Sequence, residues 1–315
     1  MEYENAQKLK EKLMMDHEGI VLEDLIDGNE VVTSSGTCYD IEHKSTLKFN
    51  TLNQEKAREK ILSDLKLLNG IGSSRELKLQ IEGYKTIEDL VEHERFGKEA
   101  SNLLKIIDSC NNCYISDRIS ECYPKSHPMS LFSSSYSKDE DFIFLDIETL
   151  GFSNVPIILL GVAKVHGKEI CVNQYLSRSV AEESAVLEAF ASHLENESVF
   201  VTFNGQTFDI PYIRNRMKYF DINQNLDMPH FDLLHFSRRT WSDELPNCQL
   251  TTIENHLFGI ERVDDVPSGL VPAFYKTYIK TQNIGPLVPI IEHNRQDIIT
   301  LALIFSRLHD EYSLY

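Results

Sequence analysis

One stretch, residues 142–151 (FIFLDIETLG), constrains the fold most, because an apolar run leads directly into two carboxylates one residue apart. Alternation along a strand would place Asp146 and Glu148 on the same face. The apolar residues around them predict a strand buried on both sides. Neighbouring carboxylates at the end of such a strand are unfavourable unless a cation lies between them. The pattern therefore predicts a divalent metal with oxygen ligands, Mg²⁺ or Mn²⁺, and the alternative is an acidic, solvated turn.

The composition is that of an ordinary globular protein, with 315 residues, 42% of them hydrophobic and 25% charged, which is enough for two domains. No apolar run is long enough to span a membrane, and the charged N-terminus lacks the apolar core of a signal peptide, so we expect a cytoplasmic protein. The net charge of −18 argues against broad attraction to nucleic acid. It leaves room for a confined basic patch or for a metal that neutralises carboxylates.

The first third of the chain predicts a β-hairpin in residues 30–49, around a Ser-Ser-Gly turn, followed by helix, Gly-Ile-Gly and helix from residue 54 onward. The second pattern resembles a helix-hairpin-helix motif. Glycines at a helix start let backbone N–H groups approach a phosphate closely. We therefore predict contacts to a nucleic-acid backbone from Gly70, Gly72, Arg75 and Lys78, and the alternative is a plain helical hairpin.

The next segment contains a group of thiols and an imidazole whose spacing could hold zinc, at Cys110, Cys113, Cys122 and His127. A second CxxC pair is missing, so ordinary thiols in a loop are the favoured interpretation. Six cysteines in total do not predict a disulfide framework in a chain of this size.

The domain organisation follows from a segment rich in Pro, Ser and charge. It predicts a linker over residues 126–140, between a mainly helical N-terminal domain over 1–125 and a second domain over 141–315. The second domain alternates apolar strands with amphipathic helices. It therefore predicts an α/β fold with a mixed five-stranded sheet flanked by helices.

Three motifs in the second domain follow one another in a recognisable order: Asp146-x-Glu148, Asn204-x3-Phe208-Asp209 and His293-x3-Asp297. Together they resemble the exonuclease motifs of the DEDD superfamily, which have a ribonuclease H-like fold. Residues 232–241, 245–250 and 264–275 are similar to the YprB-like branch of ribonuclease H-like proteins.

The resemblance implies a 3′–5′ exonuclease that hydrolyses nucleic acid with two divalent ions held by four carboxylates. Single-stranded DNA ends would be the favoured substrate and RNA the other. His293 would be the general base, one helical turn before Asp297. Its spacing is that of the superfamily's tyrosine branch, and the alternative is a histidine that only hydrogen-bonds near the site.

Further residues are candidates for the site. Asn204 could orient the site or contact the substrate, and Arg238 and Arg239 could bind phosphates; the alternative for each arginine is an ordinary surface side chain. Two other functions remain open, a noncatalytic nucleic-acid-binding module and a ribonuclease H-type endonuclease. The presence of all four carboxylates favours catalysis over the binding module. A lysine or arginine that filled the carboxylate pocket would argue against a nuclease.

Overall fold

The protein, analysed as a computed structural model, is described over residues 2–109 and 112–313, with only the backbone described at residues 2 and 3. It consists of two compact units. The first comprises Met1–Phe49 and Phe142–Ile304, and the second comprises Asn50–Asp141 and Phe305–Tyr315. The division differs from the expected boundary after residue 125, because the first 49 residues group with the unit that carries the sheet.

A mixed seven-stranded sheet forms the centre of the first unit. Its strands, in chain order, are β1 Asn29–Thr33, β2 Gly36–Thr46, β3 Phe142–Thr149, β4 Ile157–His166, β5 Glu169–Leu176, β6 Val199–Thr202 and β7 His230–Asp232. Their order across the sheet is β1-β2-β5-β4-β3-β6-β7. The prediction of five strands was wrong, because the predicted hairpin (β1 and β2) joins this sheet through antiparallel pairing of β2 with β5.

Strand β3 lies inside the sheet, antiparallel to β4 and parallel to β6. Phe142, Ile143 and Phe144 are fully buried, as the apolar run predicts. Apolar cores lie on the sheet, one containing Phe190 and Ile213 and the other formed largely by the helices near the end of the unit. The α-helices of this unit are Glu2–Asp16, Leu22–Leu25, Glu183–Ala191, Asp209–Tyr219, Leu233–Trp241, Leu250–Ile253, Val271–Thr281 and Leu287–Tyr312, which continues into the second unit.

The second unit is helical. Its α-helices are Gln54–Leu62, Ser73–Ile81, Gly97–Asp108, Asn112–Cys122 and Pro128–Ser133. The segment expected to be a linker, residues 126–140, is instead packed into this unit, with Leu131 fully buried. Its serines make this possible, because Ser133 and Ser134 donate their hydroxyl protons to backbone carbonyls three residues earlier.

The zinc alternative receives no support from the described residues. Cys110 lies outside them. The imidazole of His127 caps the helix Pro128–Ser133 by accepting a hydrogen bond from the Met129 N–H. Its ring also stacks on Tyr123, with centroids 4.1 Å apart.

No helix in residues 2–109 or 112–313 is long and apolar enough to cross a membrane.

Candidate functional site

Four carboxylates from three separate segments, here called the carboxylate site, line one cavity of about 230 Å³ in the first unit. Asp146 and Glu148 lie on β3, and Asp209 is the first residue of the helix Asp209–Tyr219, as predicted. Asp297 lies on the helix Leu287–Tyr312. Residues that are far apart in sequence therefore converge on one pocket.

Hydrogen bonds fix the carboxylates relative to one another. The Ile147 N–H donates to Oδ1 of Asp209 at 3.2 Å, which ties the helix start to β3. Asn294 Nδ2 donates to Oδ2 of Asp146 at 2.7 Å and to the backbone oxygen of Asp146 at 3.1 Å. Gln174 Nε2 in turn donates to Oδ1 of Asn294 at 2.8 Å. Asn294 therefore links the C-terminal helix and β5 to the part of β3 that carries Asp146.

A glycine allows the C-terminal helix to approach the sheet at this point. Gly161 on β4 lies opposite Asp146 in the strand pairing. A Cβ atom at Gly161 would lie 2.1 Å from Cδ1 of Ile298 and 2.3 Å from Oδ1 of Asn294. A side chain here would therefore push away the helix that carries Asp297.

The loop that carries Asn204 is held by Asp232 at the end of β7. Oδ1 of Asp232 accepts a hydrogen bond from the Asn204 N–H at 2.8 Å, and Oδ2 accepts one from the Gln206 N–H at 3.2 Å. Asn204 has a positive φ of 67°, a conformation that asparagine tolerates better than most residues. Asp232 therefore shapes the turn that leads to Asp209.

Burial and mutual repulsion act on all four carboxylates. Burial and the charges of the neighbouring acids raise the pKa of Asp146 and of Glu148 well above their usual values. Burial raises the pKa of Asp209 to about 7, although hydrogen bonds from backbone N–H groups oppose the shift. Burial also raises the pKa of Asp297, against the effect of nearby positive side chains. A bound cation would relieve this unfavourable concentration of negative charge.

His293 is buried at the carboxylate site, and its two ring nitrogens face different groups. Nδ1 lies 2.7 Å from Oδ1 of Asp265 and 3.2 Å from Nη1 of Arg262. We assign the ring proton to Nδ1 on the shorter contact, which is with a carboxylate acceptor. Nε2 then lies 3.2 Å from Oγ of Ser268, 3.6 Å from Oδ2 of Asp297 and 3.9 Å from Oε1 of Glu148. Burial would lower the pKa of His293, but the hydrogen bond to Asp265 and the charges of Asp297 and Asp265 outweigh it and raise the pKa.

Arg262 also reaches the carboxylate site. Its guanidinium forms an ion pair with Oδ1 of Asp297 and a two-pronged pair with Glu254, at 2.7 Å for each contact. In the described part of the chain, Arg262 is not one of the residues that line the 230 Å³ cavity. An arginine therefore binds one of the four acids without filling the pocket.

A second cavity, of about 540 Å³, shares Asp146, Asn204 and Asp297 with the first and is also lined by Arg238. Arg239 is exposed on the same helix, but within the described residues it lines neither of the two cavities. The structure thus brings Arg238 and Asn204 to the carboxylate site and leaves Arg239 outside it.

Several residues at the site were not predicted. Asn294, Asp232 and Arg262 act through contacts with residues distant in sequence, which no local pattern shows. Phe152 is 89% exposed and lines the 230 Å³ cavity. An exposed aromatic residue directly after the first motif could have been noticed in the sequence.

The second unit contains the predicted Gly-Ile-Gly turn, here called the glycine turn (Gly70, Ile71 and Gly72). Gly70 has a φ of +79°, and Gly72 is the N-cap of the helix Ser73–Ile81, without a side-chain cap. Arg75 donates to the Gly70 carbonyl.

The charges around the glycine turn differ in part from the prediction. Arg75 and Lys78 are exposed, whereas Lys66, which counts toward the basic excess in the sequence, pairs with Glu76 at 3.4 Å and with Asp64 at 3.8 Å. Arg95 was not predicted, and a Cβ atom at Gly70 would lie 3.9 Å from its guanidinium. The exposed basic groups at the turn are therefore Arg75, Lys78 and Arg95.

Oxygen donors fit a hard divalent ion, but their arrangement is not that of a complete metal site. Within residues 2–109 and 112–313, no three His, Cys, Asp or Glu side chains are placed so that they could hold a metal ion. The two oxygens of Asp297 face Arg262 and His293. The oxygen ligands are of the kind that Mg²⁺ or Mn²⁺ prefers. Asp297 differs from the other three acids because it alone among them forms a described ion pair with Arg262.

Comparisons with known proteins identify the family of this chain. A family model described as the RNase_H superfamily matches residues 143–309, a range that includes all four carboxylates and His293. The chain is 34% identical over 187 residues to "Uncharacterized protein YprB" of Bacillus subtilis (strain 168), an alignment that covers 57% of this chain and 44% of the relative. The chain thus spans less than half the length of that relative. The predicted ribonuclease H-like fold is confirmed at the level of the superfamily, whereas the exonuclease branch and the helix-hairpin-helix motif stay predictions.

Proposed function

This chain belongs to the RNase_H superfamily, and we propose that it is a metal-dependent 3′–5′ exonuclease that favours single-stranded DNA ends and also takes RNA. The observation that carries the proposal is the convergence of Asp146, Glu148, Asp209 and Asp297 on one cavity beside a buried histidine. A membership of this superfamily implies nucleic acid as the substrate, and its nucleases generally use divalent metals such as Mg²⁺.

The four carboxylates would hold two ions, Mg²⁺ or Mn²⁺. When bound, such ions neutralise the negative charge of the phosphate and make a water molecule more acidic. Neighbouring residues orient the carboxylates before any ion binds. Asn294 and the Ile147 N–H each orient one oxygen of a carboxylate, of Asp146 and Asp209 respectively, so that these acids keep their directions despite their mutual repulsion.

His293 would accept the proton of the attacking water at Nε2. Asp265, 2.7 Å from Nδ1, would hold the proton on that nitrogen. The lone pair of Nε2 would then be shared between the carboxylate site and the Ser268 hydroxyl, 3.2 Å away. Glu148 and Asp297 lie 3.9 and 3.6 Å from this nitrogen and would stabilise the imidazolium that forms. Asp265 is therefore a positioning residue for the base.

The nucleic-acid strand would extend from the 230 Å³ cavity into the second cavity. Arg238 lines that second cavity, where a guanidinium can bind a phosphate through two N–H groups. Phe152 and Phe208 line the first cavity and offer aromatic faces for a terminal base. Arg239, which points to neither cavity, is assigned no contact with the substrate.

The glycine turn of the second unit would bind the nucleic-acid backbone. Gly72 has no side chain that could cap the helix Ser73–Ile81, and its carbonyl accepts from the Arg75 and Glu76 N–H groups. The Ser73 and Ser74 N–H groups are therefore the ones that can donate to a phosphate. Arg75 and Lys78 add positive charge in an otherwise acidic protein. Such contacts position a strand and carry no information about its sequence.

One observation favours a second candidate, a noncatalytic nucleic-acid-binding module. Arg262 is paired with Asp297, and a positive side chain on an acid that must bind metal is expected to weaken metal binding. We prefer the nuclease because Asp146, Glu148 and Asp209 have no contact with Arg262 among the described ion pairs.

An oligonucleotide assay tests the proposal. Single-stranded DNA and RNA, labelled at either the 3′ or the 5′ end, are incubated with the full chain and with Mg²⁺, Mn²⁺ or EDTA. We expect metal-dependent release of mononucleotides from the 3′ end. Internal cuts would indicate an endonuclease, and binding without cleavage under every condition would indicate the noncatalytic module.

A further inference from the structure

The guanidinium of Arg262 is a fixed cation next to the carboxylate site. The side chain of Arg262 is 9% exposed, and Nε and Nη2 each donate to a different oxygen of Glu254 at 2.7 Å. Glu254 is fully buried and also accepts a hydrogen bond from Thr300 Oγ1. A planar guanidinium held through two parallel contacts has one orientation. Arg262 is therefore a built-in part of the fold and not a mobile surface side chain.

The same Nη2 nitrogen also contacts Oδ1 of Asp297. The other oxygen, Oδ2 of Asp297, faces Nε2 of His293 at 3.6 Å. Both oxygens of this acid thus face a nitrogen of the protein. A divalent ion that is to bind Asp297 must compete with a cation that is already in contact with it, in a buried place where charges interact more strongly than in water.

The other three acids form no described ion pair with Arg262. Among the ion pairs of the described residues, Arg262 contacts Glu254, Asp265 and Asp297, but not Asp146, Glu148 or Asp209. Asp146 and Asp209 are instead oriented by an amide and a backbone N–H. Neutral donors of this kind orient a carboxylate without neutralising its charge.

We propose that Arg262, clamped by Glu254, competes with a divalent ion for Asp297 and thereby makes the two metal positions unequal. This inference rests on the proposed function. An ion held by Asp146, Glu148 and Asp209 would not meet this competition, because Arg262 contacts none of these acids among the described ion pairs. The position that requires Asp297 binds its ion weakly, because the ion must displace Arg262 from the carboxylate. Arg262 is a positioning residue in this scheme, since it acts on the metal through Asp297.

Metal binding measured without nucleic acid tests the inference. Mn²⁺ is titrated into the full chain, with calorimetry for the affinities and the electron paramagnetic resonance of unbound Mn²⁺ for the stoichiometry. The main variant is the double substitution Arg262→Met and Glu254→Gln, which leaves no buried charge at position 254, frees Asp297 from its cation and still offers Thr300 an acceptor. We expect the wild type to bind one Mn²⁺ ion tightly and a second ion weakly. In the variant, the affinity for the second ion should be about tenfold higher or more.

The chain contains a matched control. Arg216 and Glu183 form a second buried two-pronged pair, at 2.6 Å for each contact, and Glu183 is 1% exposed. The double substitution Arg216→Met and Glu183→Gln removes the same groups away from the carboxylate site. We expect it to leave both Mn²⁺ affinities at the wild-type values. Adding Asp297→Asn to the Arg262 variant should abolish the gain in affinity.

The outcomes are separable. If the Arg262 double variant and the wild type bind Mn²⁺ with the same affinities, the inference is wrong and the proposed function stands. If Asp146→Asn binds Mn²⁺ with the same affinities as the wild type, the proposed function itself is overturned. Should the double variant not fold, Arg262→Lys keeps the charge opposite Glu254 but cannot contact Glu254 twice and Asp297 at once. Arg262→Lys should also raise the affinity for the weakly bound Mn²⁺ ion, by a smaller factor than the double variant. An unchanged affinity would count against the inference.

Discussion

The carboxylate site and the glycine turn are the two places predicted to meet nucleic acid, and they are built in opposite ways. The carboxylate site collects acids from three distant segments in one pocket, with Glu148 and Asp209 buried and Asp146 and Asp297 half-buried. The glycine turn consists of three consecutive residues with exposed basic side chains around it. The first therefore depends on the tertiary structure of the sheet unit, whereas the second depends on local backbone conformation.

This difference separates two kinds of function. A buried group of repelling carboxylates is costly to maintain and is expected where chemistry requires a metal. Exposed N–H groups and basic side chains cost little and provide affinity that falls with salt. We therefore expect changes in the carboxylate site to alter the rate of cleavage, and changes in the glycine turn to alter binding alone.

The largest expected effect is that of Asp146→Asn. Metal-dependent cleavage should fall by about 10³-fold or more, because the substitution removes a charged ligand while Asn294 can still donate to the new amide oxygen. Oligonucleotide affinity, measured by fluorescence anisotropy, should change little. Asp243→Asn, an exposed acid in the same unit, serves as the control. Cleavage at the wild-type rate in Asp146→Asn would refute the assigned site.

His293→Gln should reduce the rate by about 10²- to 10⁴-fold, the usual contribution of a general base. The wild-type rate should also depend on pH. Burial lowers the pKa of His293, but Asp265 and Asp297 raise it above the usual 6.5, and only the neutral ring can accept a proton. The rate should therefore fall as the pH decreases through this raised pKa. If the rate of His293→Gln falls at low pH as the wild-type rate does, the titrating group is not His293.

Stability must be separated from chemistry in such a pH profile, and His309 in the second unit provides the means. Its ring is 1% exposed, and burial lowers its pKa to about 4. A buried histidine that must stay neutral costs no folding free energy at a pH above about 6.5, where the ring is neutral in the unfolded chain as well. About 3 kcal/mol of stability is lost as the pH falls from 6.5 towards 4.

His309→Gln should therefore flatten the pH dependence of the free energy of unfolding, measured with urea at several pH values between 7.5 and 4.5. The Gln side chain keeps a polar group near Ser134 Oγ, which lies 2.6 Å from Nε2 in the wild type. An equally steep loss of stability in the variant would show that other groups control the acid sensitivity.

The sequence predicted the features that arise from local patterns. The apolar run predicted β3, and the paired acids and the helix start at Asp209 were placed where the structure has them. The position of His293 one turn before Asp297 follows from helical periodicity. In each of these cases, the residues that determine the feature lie within a few positions of one another.

Features that depend on distant partners could not be predicted. The hairpin was recognised, but its pairing joins Tyr39 with Leu176, a contact that no local pattern reveals. Arg262 in a sequence is one arginine among many, and only the fold shows that it meets Glu254 and Asp297. The expected linker was misjudged because its serines, which usually indicate exposure, form hydrogen bonds to the backbone inside the unit.

The smallest expected effect, and the sharpest test of the glycine turn, is Gly72→Ala. A Cβ atom at Gly72 would meet nothing within 4 Å, so only a bound phosphate should be affected by the added methyl group. The free energy of unfolding should fall by less than about 1 kcal/mol, the cost of a poorer N-cap. Gly70 is unsuitable for this test, because its φ of +79° would strain any other residue.

Oligonucleotide affinity should weaken about two- to fivefold in Gly72→Ala, the usual contribution of a helix N-terminus to anion binding. Lys78→Ala should in addition lower the dependence of log Kd on log salt by about one phosphate contact, whereas Lys105→Ala, an exposed charge on another helix of the unit, should leave it unchanged. The cleavage rate at saturating substrate should be that of the wild type in all three variants. If a glycine-turn variant cleaves more slowly but binds as tightly as the wild type, the turn takes part in the chemistry. The functions of the carboxylate site and the glycine turn would then not be separate.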